Sequence, residues 1–188
     1  MEHALTAMHD LRSSCRLLVN NAAYSVNFGA AVNSEPRKWQ LAWDLNVIAP
    51  LLMMQALAPD IARAGGGGVV NISSGAAVRS VPGQTAYGAT KAALERLTQD
   101  LAFDATHPGV RYNVLRIETA VPTEAYLFVS GSLGITEREK PLHSVDAVAH
   151  AVGWIGTNAE ANGEIYDIAR LEALGALPEP TVWLGAES

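Results

Sequence analysis

The sequence predicts an α/β fold built on a doubly wound parallel sheet. Two observations point there. Short apolar runs alternate with longer segments of helical period, as in successive βαβ units. The runs are also nearly continuous in apolar residues, as strands covered on both faces are. At 188 residues, with 49% hydrophobic and 17% charged residues, the chain suits one domain over 1–188 with a substantial core. No internal repeat or low-complexity linker divides it.

Taken in order, Met1 to Leu11 is helix-like, and Leu17-Leu18-Val19 reads as a buried strand stopped by Asn20-Asn21. Lys38 to Arg63 reads as a long helix that Pro59 bends or interrupts. Gly65 to Gly68 follows a helix and precedes a strand, the reverse of a phosphate cradle, so it is expected to be a C-cap and turn. Val69 to Ser73 is a second strand, Gln84 to Ala105 a second long helix, and Arg111 to Ile117 a third strand. Ser144 to Ile155 predicts a helix capped by Ser144, with Asp146 in its first turn. Gly163 to Ile168 predicts a last strand, before a proline-rich tail at Pro178 to Pro180. Thr119 to Leu142 carries Pro122, Gly131, Gly134 and Pro141; a lid is expected, with disorder as the alternative.

The net charge of −6 and the lack of a basic stripe argue against nucleic acid or an anionic membrane as partner. Cys15 is the sole cysteine, which excludes an intrachain disulfide framework and fits a reducing cytoplasm. The N-terminus has no continuous apolar stretch of the signal-peptide kind. Val47 to Ala58, broken by Pro50 and Gln55, is expected to be too short to span a bilayer. The five histidines show no close metal-ligand pairing, so no metal is expected. Trp39 and Trp43, four apart, are expected to serve packing.

Chemistry concentrates around Tyr87 and Lys91. Four apart on a helix, they share one face, where an ammonium favours the phenolate and lowers the tyrosine pKa. Ser74 stands just past a strand, where open parallel sheets place their ligands. A hydroxyl, a phenol and an ammonium together can exchange a proton with a carbonyl oxygen. The pair alone is weak; its surroundings strengthen it.

Leu17-Leu18-Val19-Asn20-Asn21-Ala22-Ala23 resembles the strand-end Asn-Asn-Ala-Gly motif of the short-chain dehydrogenase/reductase family, with Ala23 replacing the glycine. Asp44-Leu45-Asn46-Val47, Val70-Asn71-Ile72-Ser73-Ser74 and Tyr87-Gly88-Ala89-Thr90-Lys91 are similar to that family's asparagine, serine and tyrosine–lysine motifs. Their order and spacing match from Leu17 to Ile168. The resemblance implies a Rossmann-like fold and an NAD- or NADP-dependent oxidoreductase of alcohols and carbonyls. It implies Tyr87 as proton donor or acceptor and Ser74 as the group polarising the carbonyl. Lys91 would lower the tyrosine pKa and bind the nicotinamide ribose, and Asn46 would hold a relaying water. Asn20, Ala22, Val121 and Thr123 would join Tyr87 and Lys91 in contacting cofactor. The long helices would pair into a homodimer or homotetramer.

Two departures stand out. Ile117-Glu118 occupies the positions of the family's Pro-Gly, so the backbone there is expected to be arranged differently, with Glu118 near the cleft. No glycine-rich turn precedes the Asn-Asn motif, so the expectation is a sheet lacking the family's first three strands, with an exposed edge at Leu17–Asn20 and cofactor binding in doubt. The alternative function is therefore an inactive remnant or fragment acting as an interaction protein.

Overall fold

In the computed structural model the described residues are 12–25, 31–123, 142–158 and 160–178. Four strands, β1 (Leu17–Asn20), β2 (Gly67–Ser74), β3 (Val110–Ile117) and β4 (Ile165–Tyr166), form one sheet in that order. Every pairing is parallel, with Leu18 opposite Val69, Val69 opposite Tyr112 and Leu115 opposite Tyr166. Among the described residues the α-helices are α1 (Pro36–Trp43), α2 (Ala49–Arg63), α3 (Thr85–Asp104), α4 (Val145–Thr157) and α5 (Ile168–Ala173).

Strand side chains alternate between the two faces, and each face has its own core. Leu18, Val69, Val110 and Tyr112 pack with Met54, Leu57, Ala58 and Ile61 of α2 and Ala102 of α3. Val70, Leu115 and Tyr166 pack on the other face with Ala151 and Ile155 of α4 and Ile168 and Leu171 of α5. Helices thus cover both faces, as the apolar strands require. The four described strands follow one another in sequence order across the sheet.

Several local expectations are met for identifiable reasons. Ser144 Oγ accepts from the Ala147 N–H at 3.0 Å and starts α4. Gly65 and Gly66 adopt φ of 96° and 95° between α2 and β2, and the Gly66 N–H caps Ile61 O at 2.9 Å. Others are corrected. Pro59 lies inside α2 without ending it, and the irregularity falls upstream, in a π-helical turn at Asp44–Ile48. Pro50 has no N–H for the Asn46 carbonyl four residues back, so that one α-type bond is missing there. The last strand is two residues long rather than Gly163 to Ile168. Asp167 ends it, its Oδ1 accepting from the Arg170 N–H at 2.7 Å to cap α5.

The 28-residue run Pro36–Arg63 is also, by length and composition, apolar enough to cross a bilayer, contrary to the expectation from Val47–Ala58 alone. Its α2 portion buries Met54, Leu57 and Ile61 against the sheet, the placement of a core helix. The helix-like Met1 to Leu11, most of the lid segment Thr119 to Leu142 and the tail beyond Pro178 lie outside the described residues.

Candidate active site

Ser74 is the last residue of β2, at the carboxyl edge of the sheet. Its Oγ accepts from the Ala76 N–H at 3.2 Å and caps a single turn of 3-10 helix, Gly75–Ala77. Tyr87 sits in the first turn of α3, packed with Tyr24, Trp39, Ala42 and Ala86. The Ser74 side chain lies close enough to its hydroxyl to pull the phenol pKa down. Gly88 makes this approach feasible: a Cβ there would stand 2.5 Å from Ala76 O, inside any tolerable contact. The expected meeting of hydroxyl and phenol is present.

Lys91 follows one turn later with only 2% of its surface exposed. Nζ donates to Ile72 O at 2.7 Å and lies 5.6 Å from the Tyr87 ring centroid. Burial holds its pKa down at about 8. Tyr87 departs from expectation. Its pKa stands above the usual phenol value because burial outweighs the Ser74 side chain, which acts the other way. The Lys91 ammonium, 5.6 Å from the ring centroid, does not set the direction here.

Asn46 is wholly buried in the π turn, and its amide is consumed locally. Oδ1 accepts from the Tyr24 N–H at 2.7 Å, while Nδ2 donates to Tyr24 O at 3.1 Å and to Thr90 Oγ1 at 2.9 Å. Thr90 Oγ1 in turn donates to Tyr87 O at 2.8 Å. The asparagine side chain therefore ties the segment after β1 to the α3 turn bearing Tyr87, rather than reaching Lys91. Thr90 was not singled out by sequence, although its place one residue before Lys91 put it on the buried side of the helix.

Asn20 Nδ2 donates to Asn71 Oδ1 at 2.7 Å, and Asn71 Nδ2 donates to Thr98 Oγ1 at 2.8 Å, bracing β1 and β2 against α3. Ala22 follows the carboxyl end of β1 and is exposed; Val121 and Thr123 follow the carboxyl end of β3. All three lie past the same edge of the sheet as Ser74. Thr119, which sequence reasoning missed, has a buried Oγ1 without a hydrogen-bond partner among the described residues. Among the described residues, a hydroxyl past β3 without a partner and a buried ammonium with one acceptor are groups suited to polar atoms of a bound cofactor.

Fold and site together define a class: a parallel α/β protein with a serine–tyrosine–lysine cluster at the carboxyl edge of its sheet. A family model described as short chain dehydrogenase matches residues 1–124, and the chain belongs to that family. It is similar to dehydrogenase/reductase SDR family member 4 of Homo sapiens, 38% identical over 105 residues, covering 56% of this chain and 38% of the relative. The chain thus matches little more than a third of that relative's length. A solved short chain dehydrogenase/reductase family protein superposes with a TM-score of 0.76 at 26% identity, covering 89% of this chain and 71% of the other. L-sorbose reductase of Gluconobacter frateurii, solved with NADPH and L-sorbose, shares the fold with a TM-score of 0.79 at 22% identity, covering 88% and 69%.

Proposed function

We propose that this protein is an NAD- or NADP-dependent oxidoreductase that interconverts an alcohol and a carbonyl, with Tyr87 as the acid/base group. The observation that carries this reading is the Ser74 side chain beside the Tyr87 hydroxyl, with Lys91 buried one helical turn further on. A substrate oxygen placed between the two hydroxyls would accept from Ser74 while Tyr87 delivers its proton. The raised pKa keeps Tyr87 protonated at neutral pH, which suits reduction of a carbonyl. Lys91 Nζ and Thr119 Oγ1 would hold polar groups of the nicotinamide half of the cofactor. When bound, nicotinamide supplies or accepts the hydride.

Asn46, through Thr90, would act as a positioning residue for the helix turn carrying Tyr87. Asn20, Ala22, Val121 and Thr123 remain proposed cofactor contacts. We further propose a small alcohol or carbonyl substrate, a cytoplasmic setting, and a homodimer or homotetramer formed through α1–α2 and α3. In a folded protein with measurable turnover, Tyr87→Phe is expected to lower kcat by ~10²–10⁴-fold with the cofactor Kd unchanged. Steady-state kinetics and calorimetric titration with NADH and NADPH check this. Full turnover in Tyr87→Phe would sink the assignment.

A further inference from the structure

Glu118 stands where the family pattern has glycine, and a chain of charges connects it to the core. Glu95 of α3, buried, accepts from Ser73 Oγ at 2.6 Å. The same carboxylate takes Arg116 on both oxygens, from Nε at 2.8 Å and from Nη2 at 2.7 Å. Arg116 Nη1 lies 3.8 Å from Glu118 Oε1. Glu118 then accepts from Arg79 Nη1 at 2.8 Å, and its backbone carbonyl accepts from Arg79 Nη2.

Arg79 is the residue that closes the turn after Ser74. Its own N–H donates to Gly75 O at 3.0 Å. The ion pair is seated against that turn: a Cβ on Gly75 would lie 2.5 Å from Arg79 Nη2 and 2.7 Å from Glu118 Oε2. Ser74 is thus bracketed. Ser73, before it, is held by Glu95, and the turn after it is held by Arg79 and Glu118. Glu95 belongs to the helix that carries Tyr87 and Lys91, so both halves of the cluster share one frame.

Resting on the oxidoreductase reading above, we propose that Arg79 and Glu118 are positioning residues that clamp the Ser74–Arg79 turn to the end of β3 and hold Ser74 Oγ at Tyr87. The bridge stands at the strand end where the family pattern has Pro-Gly. Ion pairs this exposed add little to global stability. Their value here is geometric.

The test compares Arg79→Ala, Glu118→Ala, the double variant and Glu118→Asp by hydrogen exchange, by the Tyr87 titration and by kinetics. Each alanine variant is expected to speed exchange of the Gly75–Arg79 amides about tenfold with little change in Tm, and the double variant no further. The Tyr87 titration, read as the difference from Tyr87→Phe, is expected to move up as the Ser74 side chain draws away. The kcat falls while the cofactor KM holds, and Glu118→Asp recovers part of the loss. Unchanged exchange with an unchanged Tyr87 titration overturns the clamp, as does a double variant whose effects simply add. Exchange and titration need no turnover. An inactive wild type showing both changes would therefore retain the clamp and reject the oxidoreductase reading.

Discussion

Lys91 is a charged group held where water barely reaches, and its titration should be visible in stability. Its folded pKa of about 8 lies below the ordinary 10.5, so the unfolded chain binds more protons between those values. Stability from this site therefore rises with pH across that window, and the penalty is fully present below about pH 8. The shift corresponds to roughly 3 kcal/mol. Lys91→Met is accordingly expected to raise Tm at neutral pH while abolishing any turnover. The gain should shrink as pH approaches 10.5, as calorimetry of variant and wild type side by side would show. A pH-independent difference would reject burial as its origin. Tyr87 and Lys91 were legible in the sequence because a helix brings residues four apart together without help from the rest of the chain. The direction of the Tyr87 shift was not. It depends on how deeply neighbouring elements bury the ring, and Trp39 and Tyr24 come from other parts of the chain.

Among the elements, α3 matters most, and its approach to the turn after β2 has no slack at Gly88. Gly88→Ala would drive a methyl into Ala76 O, a backbone atom that can yield only if the turn carrying Ser74 moves. The expected cost is about 1–3 kcal/mol of stability, with a loss of turnover larger than that destabilisation accounts for. Thermal melting and kinetics on one preparation check both. Gly153 of α4 is the contrast. A Cβ there would meet nothing within 4 Å among the described residues, so Gly153→Ala is expected to stabilise by about 0.5–1 kcal/mol, measurable by denaturant unfolding. Strands and helices were legible as periodic segments, and the caps at Ser144 and Gly65–Gly66 as local chemistry. The π turn at Asp44–Ile48 was not, although Pro50 removes one α-type bond there. Nor was the early end of β4, because Gly163 to Ile168 is apolar enough for a strand and only the Asp167 cap diverts it into α5.

Across the whole molecule, the helical run that buries one face against the sheet leaves apolar residues on its other side. Leu41, Trp43, Leu45 and Ile48 are 43%, 36%, 38% and 42% exposed. We propose that this patch lies within the homo-oligomer interface. Light scattering is expected to give a multiple of the chain mass, reduced to a single chain by Leu45→Glu with Ile48→Glu. A monomeric wild type would count against it. At this scale the sequence by itself determined the parallel α/β class, the order of the elements and the coming together of Ser74, Tyr87 and Lys91. Period, composition and short spacings are properties of neighbouring residues and survive without tertiary context. Only the tertiary structure decided that Asn46 spends its amide on Tyr24 and Thr90, that Thr119 carries a hydroxyl unpaired among the described residues, and that Glu118 bridges to Arg79. Asn46 and Thr90 lie 44 residues apart, and Arg79 and Glu118 lie 39 apart. No local pattern links such partners before the fold brings their elements side by side.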